Sequence, residues 1–301
     1  MLQVPRENPR LPLALDDSRP IQSLKNEHEV EVLDFLSAHP LRTFVMSGWI
    51  KDNGLVSPLN RGTFYGCRNS WGELEGVALI GHITLFETNS EAALAAFASL
   101  TQDCPGARTV LGTQDAVSRF LSYYTHGGLP PRLVCRGLLF EQRSRERFEY
   151  GVTGPHRATL DELELVVPVH AQMVIEEIGI DPLKTDPAGF RDRCARRIHQ
   201  GRVWVCVEDK RLAFKADIIS DLPEIKYIEG VYVSPEKRGQ GYGSRCMAEL
   251  TNILLTHTRS VCVLVKEQSL AAQACYRNAG YKLRDYYETV FLRQDSDEEA
   301  D

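Results

Sequence analysis

The chain has 301 residues, 41 of them acidic and 35 basic, giving a formal net charge of −6. Apolar residues make up 43% and charged residues 25%, the balance of a globular protein and not of a disordered one. That length predicts two domains, each with its own core, and the acidic balance argues against a general nucleic-acid binder. Residues 1–24 carry Pro5, Pro9, Pro12 and Pro20 among polar neighbours and read as an irregular arm. A helix is predicted over 25–38. Strand-like pieces follow at 42–46, 62–68 and 75–86, and the Trp71-Gly72 turn joins the last two as a hairpin. Next come an Ala-rich helix at 90–101, a strand at 107–112, a helix at 113–124 and a closing strand at 132–142. The charged stretch 142–147, with Gly151, Gly154 and Pro155 behind it, marks a domain boundary.

The second half repeats this order of elements. Thr159 and Glu162 have capping-box spacing and open a helix that runs toward Glu177, which Pro168 is expected to kink or split. Another helix covers 187–200. Strands follow at 202–207, 211–219 and 225–234, then a helix at 243–257, an apolar strand at 260–265, a short helix at 269–279, and two last strands at 281–285 and 288–292. The end of the chain carries Asp295, Asp297, Glu298, Glu299 and Asp301 with no base, which reads as a solvated acidic tail. Much of the net charge therefore sits outside the folded body.

The eight cysteines form no Cys-x-x-Cys pair and several lie in apolar runs, so they read as free buried thiols in a reducing compartment. The histidines show no metal-ligand spacing, and no metal is expected. The start lacks an apolar leader and no apolar run approaches 18 residues, so neither secretion nor a membrane span is expected. The expected location is the cytoplasm.

The chemistry lies in Val231-Tyr-Val-Ser-Pro-Glu-Lys-Arg-Gly-Gln-Gly-Tyr-Gly-Ser244. A strand ends at Ser234-Pro235, a Gly-rich loop follows, and a helix begins near Gly243. Closely spaced glycines let several backbone N–H groups converge, and a helix N-terminus adds partial positive charge. Together they suit a pyrophosphate, with Lys237 and Arg238 as further positive charge. A dinucleotide fingerprint would need Gly where Ser244 stands, and a P-loop would need Gly-Lys-Ser/Thr.

Downstream lies Leu264-Val-Lys-Glu-Gln-Ser-Leu-Ala-Ala-Gln-Ala-Cys-Tyr-Arg-Asn-Ala-Gly-Tyr281. With the loop Arg238-x-x-Gly241-x-Gly243, this segment resembles the GNAT acetyltransferases over residues 150–293. The resemblance implies an α/β (α+β) GNAT fold, with a mixed central sheet flanked by helices. It implies acetyl-CoA as cosubstrate, its pyrophosphate held by Arg238, Gly239, Gln240, Gly241, Tyr242, Gly243 and Ser244. The backbone of Val231 and Val233 would pair with the pantetheine arm, admitted where strand 260–265 splays from strand 225–234. The resemblance also counts Ser269 and Ala272, on the next helix, among the cofactor-binding residues. Many relatives carry Asn where this chain has Ser269, whose hydroxyl is expected to cap the helix instead.

Acetyl transfer to an amine needs a neutral amine, and only about one Lys-like amine in 2,500 is neutral at pH 7. Glu229, on the strand leading into the loop and on the face of Val231 and Val233, is the candidate base; the competing reading has it cap a strand end or pair with Lys226. The resemblance makes Tyr276 the candidate acid for the leaving thiolate. The first half resembles the same fold without its phosphate loop, since Glu87 and Glu91 stand where the loop would be. Tandem arrangements of this kind occur in mycothiol synthase and the Fem-type aminoacyltransferases. Trp49, Phe64, Tyr65, Trp71, Tyr123 and Tyr124 line a pocket or fill a core in that half.

The expected organisation is an arm at 1–24, a GNAT-like domain at 25–147, a catalytic domain at 148–293 and a tail at 294–301. The expected activity is N-acetyl transfer to a small-molecule or protein amine in a ternary complex, with no nucleic-acid or membrane partner and with a homodimer as one possible assembly. A non-catalytic acetyl-CoA sensor and a Fem-like aminoacyltransferase are the alternatives. The acceptor site is expected at 176–186 and near the last strand pair, where Glu176, Glu177, Asp181 and Asp285 suit a cationic amine.

Overall fold

The structure, a computed structural model, describes residues 21–125, 131–145 and 154–293. Most of the proposed arm, the 147/148 boundary and the acidic tail lie outside the described residues.

The first half runs β1 (Ile21–Ser23), α1 (Glu29–Ser37), α2 (Pro40–Asn53), β2 (Gly62–Arg68), β3 (Leu74–Gly81), β4 (Ile83–Thr88), α3 (Glu91–Gln102), β5 (Thr109–Thr113), α4 (Gln114–Tyr124) and β6 (Leu133–Gln142). The second half runs β7 (His156–Arg157), α5 (Leu163–Ile178), α6 (Pro182–Thr185), α7 (Pro187–His199), β8 (Val203–Glu208), β9 (Arg211–Asp221), β10 (Lys226–Val233), α8 (Tyr242–Leu254), β11 (Val261–Lys266), α9 (Leu270–Asn278) and β12 (Lys282–Phe291).

Four expectations change. The stretch 42–46 belongs to helix α2, not to a strand. Pro40 opens that helix at its first turn, and the β-branched Thr43 and Val45 are carried along because one side buries Phe44, Ser47 and Ile50. The stretch 75–86 is two antiparallel strands, broken at Gly81-His82, where the Gly81 backbone lies against that of Arg61. α5 continues through Pro168 without splitting. The last two strands are one, β12, with a register shift between Leu283 and Asp285.

All twelve described strands form one sheet, ordered β1-β2-β3-β4-β5-β12-β6-β11-β10-β9-β8-β7. The order is the same read from either edge: β1 answers to β7, β2 to β8, β3 to β9, β4 to β10, β5 to β11 and β12 to β6. The two parallel pairs, β4 with β5 and β10 with β11, match as well. Each half closes on a strand taken from the other. β6 lies antiparallel between β11 and β12, and β12 lies antiparallel between β5 and β6. The buried Glu141 carboxylate of β6 locks this exchange, accepting from the Arg143 and Arg284 guanidinium groups at 2.9 Å each.

The sheet has a core on each side. α8 and α9 pack on one face through Phe214, Ile218, Met247, Leu250 and Tyr276. On the other face α5 and α7 cover the outer strands of the second half. Toward the middle that face is covered by α2 of the first half, through Phe44 packed with Tyr227, Leu139, Cys262 and Tyr287. α2 is pinned there by the Ser220 hydroxyl donating to the Phe44 carbonyl (2.5 Å), the Tyr287 hydroxyl donating to the Leu41 carbonyl (2.6 Å), and the Arg202–Asp52 ion pair (2.7 Å).

Candidate active site

β10 and β11 pair only from Lys226 to Ile228 against Val261 to Val263. Past that point they part. β10 runs on to Val233 bonded only to β9, and β11 runs on to Lys266 bonded only to β6. The result is a wedge-shaped notch whose β10 wall, from Glu229 onward, has an unpaired backbone edge. Its sharp opening comes from a bulge. The register against β9 slips between Glu229 and Tyr232, and Gly230 takes a left-handed φ of 58° that a side chain would resist.

The bulge corrects one expectation. Ile228, Val231 and Val233 face α8 and α9, whereas Glu229 faces the opposite side with Tyr227. Simple alternation fails across an inserted residue. Glu229 takes the Tyr227 hydroxyl, not the Lys226 ammonium, which pairs with Asp221. The Glu229 side chain is exposed, yet it sits deep within the body of the protein, so it looks into a recess. That depth raises its carboxyl pKa above the ordinary range, against the lowering effect of the Tyr227 hydrogen bond; the nearby Glu177 and Asp217 raise it further.

Tyr276 comes to the notch from the other face, on α9. Its ring is 7% exposed, packed against Phe140 and Tyr281. Among the described residues its hydroxyl has no hydrogen-bond partner. Burial raises its phenol pKa, and the charge of Glu229 adds to this, so the group is a held proton at neutral pH. The candidate base and acid thus flank one notch from opposite faces.

The Gly-rich loop stands at the mouth. Gly241 is the N-cap of α8, in the left-handed region at φ 71°. The first bond of α8 runs from the Arg245 N–H to the Gly241 carbonyl, which leaves the N–H groups of Tyr242, Gly243 and Ser244 directed out of the helix end. Gly243 packs tightly, since a Cβ there would lie 2.8 Å from Val233 and 3.3 Å from the Cys275 sulfur. The Gln240 amide donates to the Glu236 carbonyl, and Gly239 is exposed. The Arg238 Nε donates to the Val233 carbonyl at 2.9 Å, folding the guanidinium back over the strand end.

Two other expectations change here. Lys237 is tied to Glu208 at 2.5 Å, and the same carboxylate accepts from the Tyr242 hydroxyl at 2.7 Å, so Lys237 is not a free charge at the loop. Arg245, not singled out in the sequence, supplies a cation instead, its guanidinium donating to the Gln240 carbonyl. Ser269 is the N-cap of α9 but makes no side-chain cap bond, and Ala272 packs partly buried against the α8 side of the sheet.

Behind Glu229 lies a buried charged cluster that sequence reasoning missed. Lys215 and Asp217 on β9 are 0% and 2% exposed and pair at 2.5 Å. The Lys215 ammonium also reaches the Gly230 carbonyl at 3.4 Å, and His170 of α5 lies 3.6 Å from Asp217. The other Asp217 oxygen and the Arg197 Nε are buried without partners among the described residues. Two opposite charges two residues apart in the otherwise apolar run Leu212-Ala-Phe-Lys-Ala-Asp-Ile218 were the available signal.

The acceptor residues are only partly brought together. Glu176 and Glu177 end α5 near Tyr232 and Glu229. Asp181 instead caps α6 and Asp285 caps its own neighbour Tyr286. β12 cannot wall the notch directly, because β6 stands between it and β11.

In the first half β4 and β5 also part, after Thr84 and Val110, but Phe44, Val45 and Met46 of α2 stopper the opening. There the helix α3 is capped by the Ser90 hydroxyl, and Glu91 sits in its first turn, bound to Arg119 and Tyr123. No anion cradle is left. Phe64 and Tyr124 are core, Trp49 and Tyr65 pack against it, and Trp71 is 85% exposed. Among the described residues no group of His, Cys, Asp or Glu could hold a metal ion, all eight cysteines are free, and no helix is long and apolar enough to cross a membrane.

Parted parallel strands, a bulge and a Gly-rich helix start define an acyltransferase fold of the GNAT type. The family model described as an acetyltransferase (GNAT) domain matches residues 199–283. Comparison with curated proteins finds no match. Among solved structures, a GNAT-family acetyltransferase from Colwellia psychrerythraea is 11% identical, with a TM-score of 0.60 over 91% of this chain and 100% of that one. A tandem GNAT protein from the clavulanic acid biosynthesis pathway is 14% identical, with a TM-score of 0.57 over 91% of this chain and 98% of its own. A GCN5-related N-acetyltransferase from Sphaerobacter thermophilus is 13% identical, with a TM-score of 0.55 over 92% and 96%. Residues 199–283 are therefore a GNAT-family acetyltransferase domain, and the chain as a whole has the fold of tandem GNAT proteins.

Proposed function

We propose that the protein is an acetyl-CoA-dependent N-acetyltransferase that acts on a primary amine of a small molecule or protein, by direct attack in a ternary complex. The observation that carries this reading is the notch itself, with Glu229 on one face, Tyr276 on the other and an unpaired β10 edge between them.

The residues present fit a pyrophosphate and an amide-bearing arm. The outward N–H groups of Tyr242, Gly243 and Ser244 form the anion cradle, with Arg238 and Arg245 as its cations. The buried Ser234 hydroxyl at the foot of the loop has no partner among the described residues. The free backbone edge at Val231 and Val233 offers donors and acceptors to an extended amide arm. Bound acetyl-CoA supplies an activated thioester.

This chain's own residues supply the rest. Glu229 takes a proton from the incoming ammonium, a role its raised pKa suits, since a base works best near the operating pH. Glu176 and Glu177 at the end of α5 favour a cationic acceptor. Tyr276 gives its proton to the leaving sulfur. The burial that raises the phenol pKa also raises the proton affinity of a thiolate held beside it, which keeps the transfer feasible. Cys246 and Cys275 are poor nucleophile candidates: the Cys206 thiol contact and then burial hold the Cys246 thiol above its usual range, burial does the same for Cys275, and no base adjoins either among the described residues.

The test is calorimetry with CoA, followed by thiol release from acetyl-CoA with a polyamine, an amino sugar, an amino acid ester and a Lys-containing peptide. Binding with amine-dependent release supports an enzyme. Binding with no release from any panel would reassign the protein as a sensor.

A further inference from the structure

We propose that the first half of the chain positions Glu229 of the second half through two packed rings, Phe44 and Tyr227. This rests on reading Glu229 as the base, and it gives the half without an anion cradle a part in the reaction.

Tyr227 lies two residues before Glu229 on β10, on the same face, and its hydroxyl donates to one Glu229 carboxylate oxygen. That leaves the second oxygen without a hydrogen-bond partner among the described residues and able to accept a proton. Glu229 is exposed, and this hydroxyl is its one hydrogen-bond partner among the described residues. A carboxylate on a flexible stem needs such a hold, because a general base must stay within hydrogen-bond reach of its proton.

The hydroxyl can hold only if its own ring is fixed. Tyr227 is 3% exposed and sits beside Cys262, Leu139 and Tyr287. Its closest ring neighbour is Phe44 of α2, with centroids 4.5 Å apart and planes tilted by 51°. Phe44 is 1% exposed and has no room to slide. Its carbonyl takes the Ser220 hydroxyl, and one turn on, Gly48 lies so close to Ser220 that a Cβ would collide with it. The path from the first half to the carboxylate is therefore short and tightly packed: α2, Phe44, Tyr227, Glu229.

The charged and titratable groups around Glu229 come from six elements: Tyr227 on its own strand, Asp217 and Lys215 from β9, Glu177 and His170 from α5, Arg197 from α7, and Cys262 and Tyr276 from β11 and α9. α2 meets this group through the apolar Phe44. A hydroxyl that donates to the carboxylate favours its ionised form, so losing the hydroxyl raises the pH at which the base is ready.

Tyr227→Phe deletes one oxygen and keeps the ring. In protein labelled with 13C at the Glu carboxyl carbons, with Glu229→Gln identifying the resonance, Glu229 should titrate about one pH unit higher in Tyr227→Phe. With the panel amine of highest turnover, kcat should fall about tenfold while acceptor KM stays within twofold. The acid limb of kcat/KM should move up with the titration. Phe44→Leu should lower kcat in the same direction, and Phe44→Leu with Tyr227→Phe should be no slower than Tyr227→Phe alone, because Phe44 acts through the hydroxyl. Additive losses would mark Phe44 as structural only and overturn its part. An unmoved titration and unchanged kcat in Tyr227→Phe, with Glu229→Gln still inactive, would overturn the relay and leave Glu229 as base. A Glu229→Gln enzyme that keeps both activity and acid limb would overturn relay and base together.

Discussion

At the residue scale, burial sets the chemistry on each side of the notch. Tyr276→Phe should lower turnover by about 10²-fold or more while CoA affinity by calorimetry stays nearly unchanged, since the ring packing is kept. Unchanged turnover would remove Tyr276 from the acid role. His170 reports on the buried cluster behind Glu229. Desolvation, with the Lys215 charge adding to it, lowers its pKa to about 4 against the opposing pull of Asp217. An unfolded histidine titrates near 6.5, so between pH 6.5 and about 4 the unfolded chain binds a proton that the folded chain refuses. Stability is fully present above pH 6.5 and falls as pH drops through that window, by on the order of 3 kcal/mol. His170→Gln should flatten that slope in urea unfolding followed from pH 7 to pH 4.5. A variant with the wild-type slope would place the pH sensitivity elsewhere.

At the element scale, the junction from β10 to α8 carries both halves of cofactor recognition: the free strand edge and the bare helix end. Gly241→Asp would set a carboxylate against the anion cradle and force a side chain into a left-handed backbone. Calorimetry with CoA should show affinity lower by tenfold or more, and normal binding would refute the loop assignment. This junction was legible in the sequence because its signals are local: glycines at fixed spacing, a strand before them, a helix after. Helix α9 with Tyr276 was legible for the same reason. The facing of Glu229 was not, because one inserted residue at Gly230 inverts the alternation that sequence patterns rely on, and the only local signal was a lone Gly inside a strand run. The Lys215 ammonium at the Gly230 carbonyl is part of what holds that inversion, and its partner Asp217 is close in sequence yet shows its purpose only once buried. Helix α2 misled because Thr43 and Val45 favour strands locally, whereas its burial against a distant sheet favours a helix.

At the scale of the whole molecule, the two halves form one sheet with two wings. The repeat of elements predicted the wings; the exchange of β6 and β12 depends on pairings between residues far apart in the chain and leaves no periodic trace. β12 completes both halves at once, pairing with β5 through Tyr287–Phe291 and with β6 along its length. Removing residues 282–301 should therefore destabilise the first half as well as the second. Intact protein should melt in one transition by circular dichroism, and the shortened chain should lose the fold of both halves. A shortened chain that keeps a cooperatively folded first half would show that the halves are independent.

The same exchange has a consequence for how the protein is born. β5 is in place early in synthesis, but its neighbour β12 follows only after β6 to β11 have been made. At roughly 5–20 residues per second that wait lasts on the order of ten seconds, during which β5 presents an unpaired edge. The pairing it waits for has high contact order, so closure is also slow once the strand arrives. Nascent chains of this protein should therefore depend on chaperones that shield strand edges more than a single-domain relative of the same fold would.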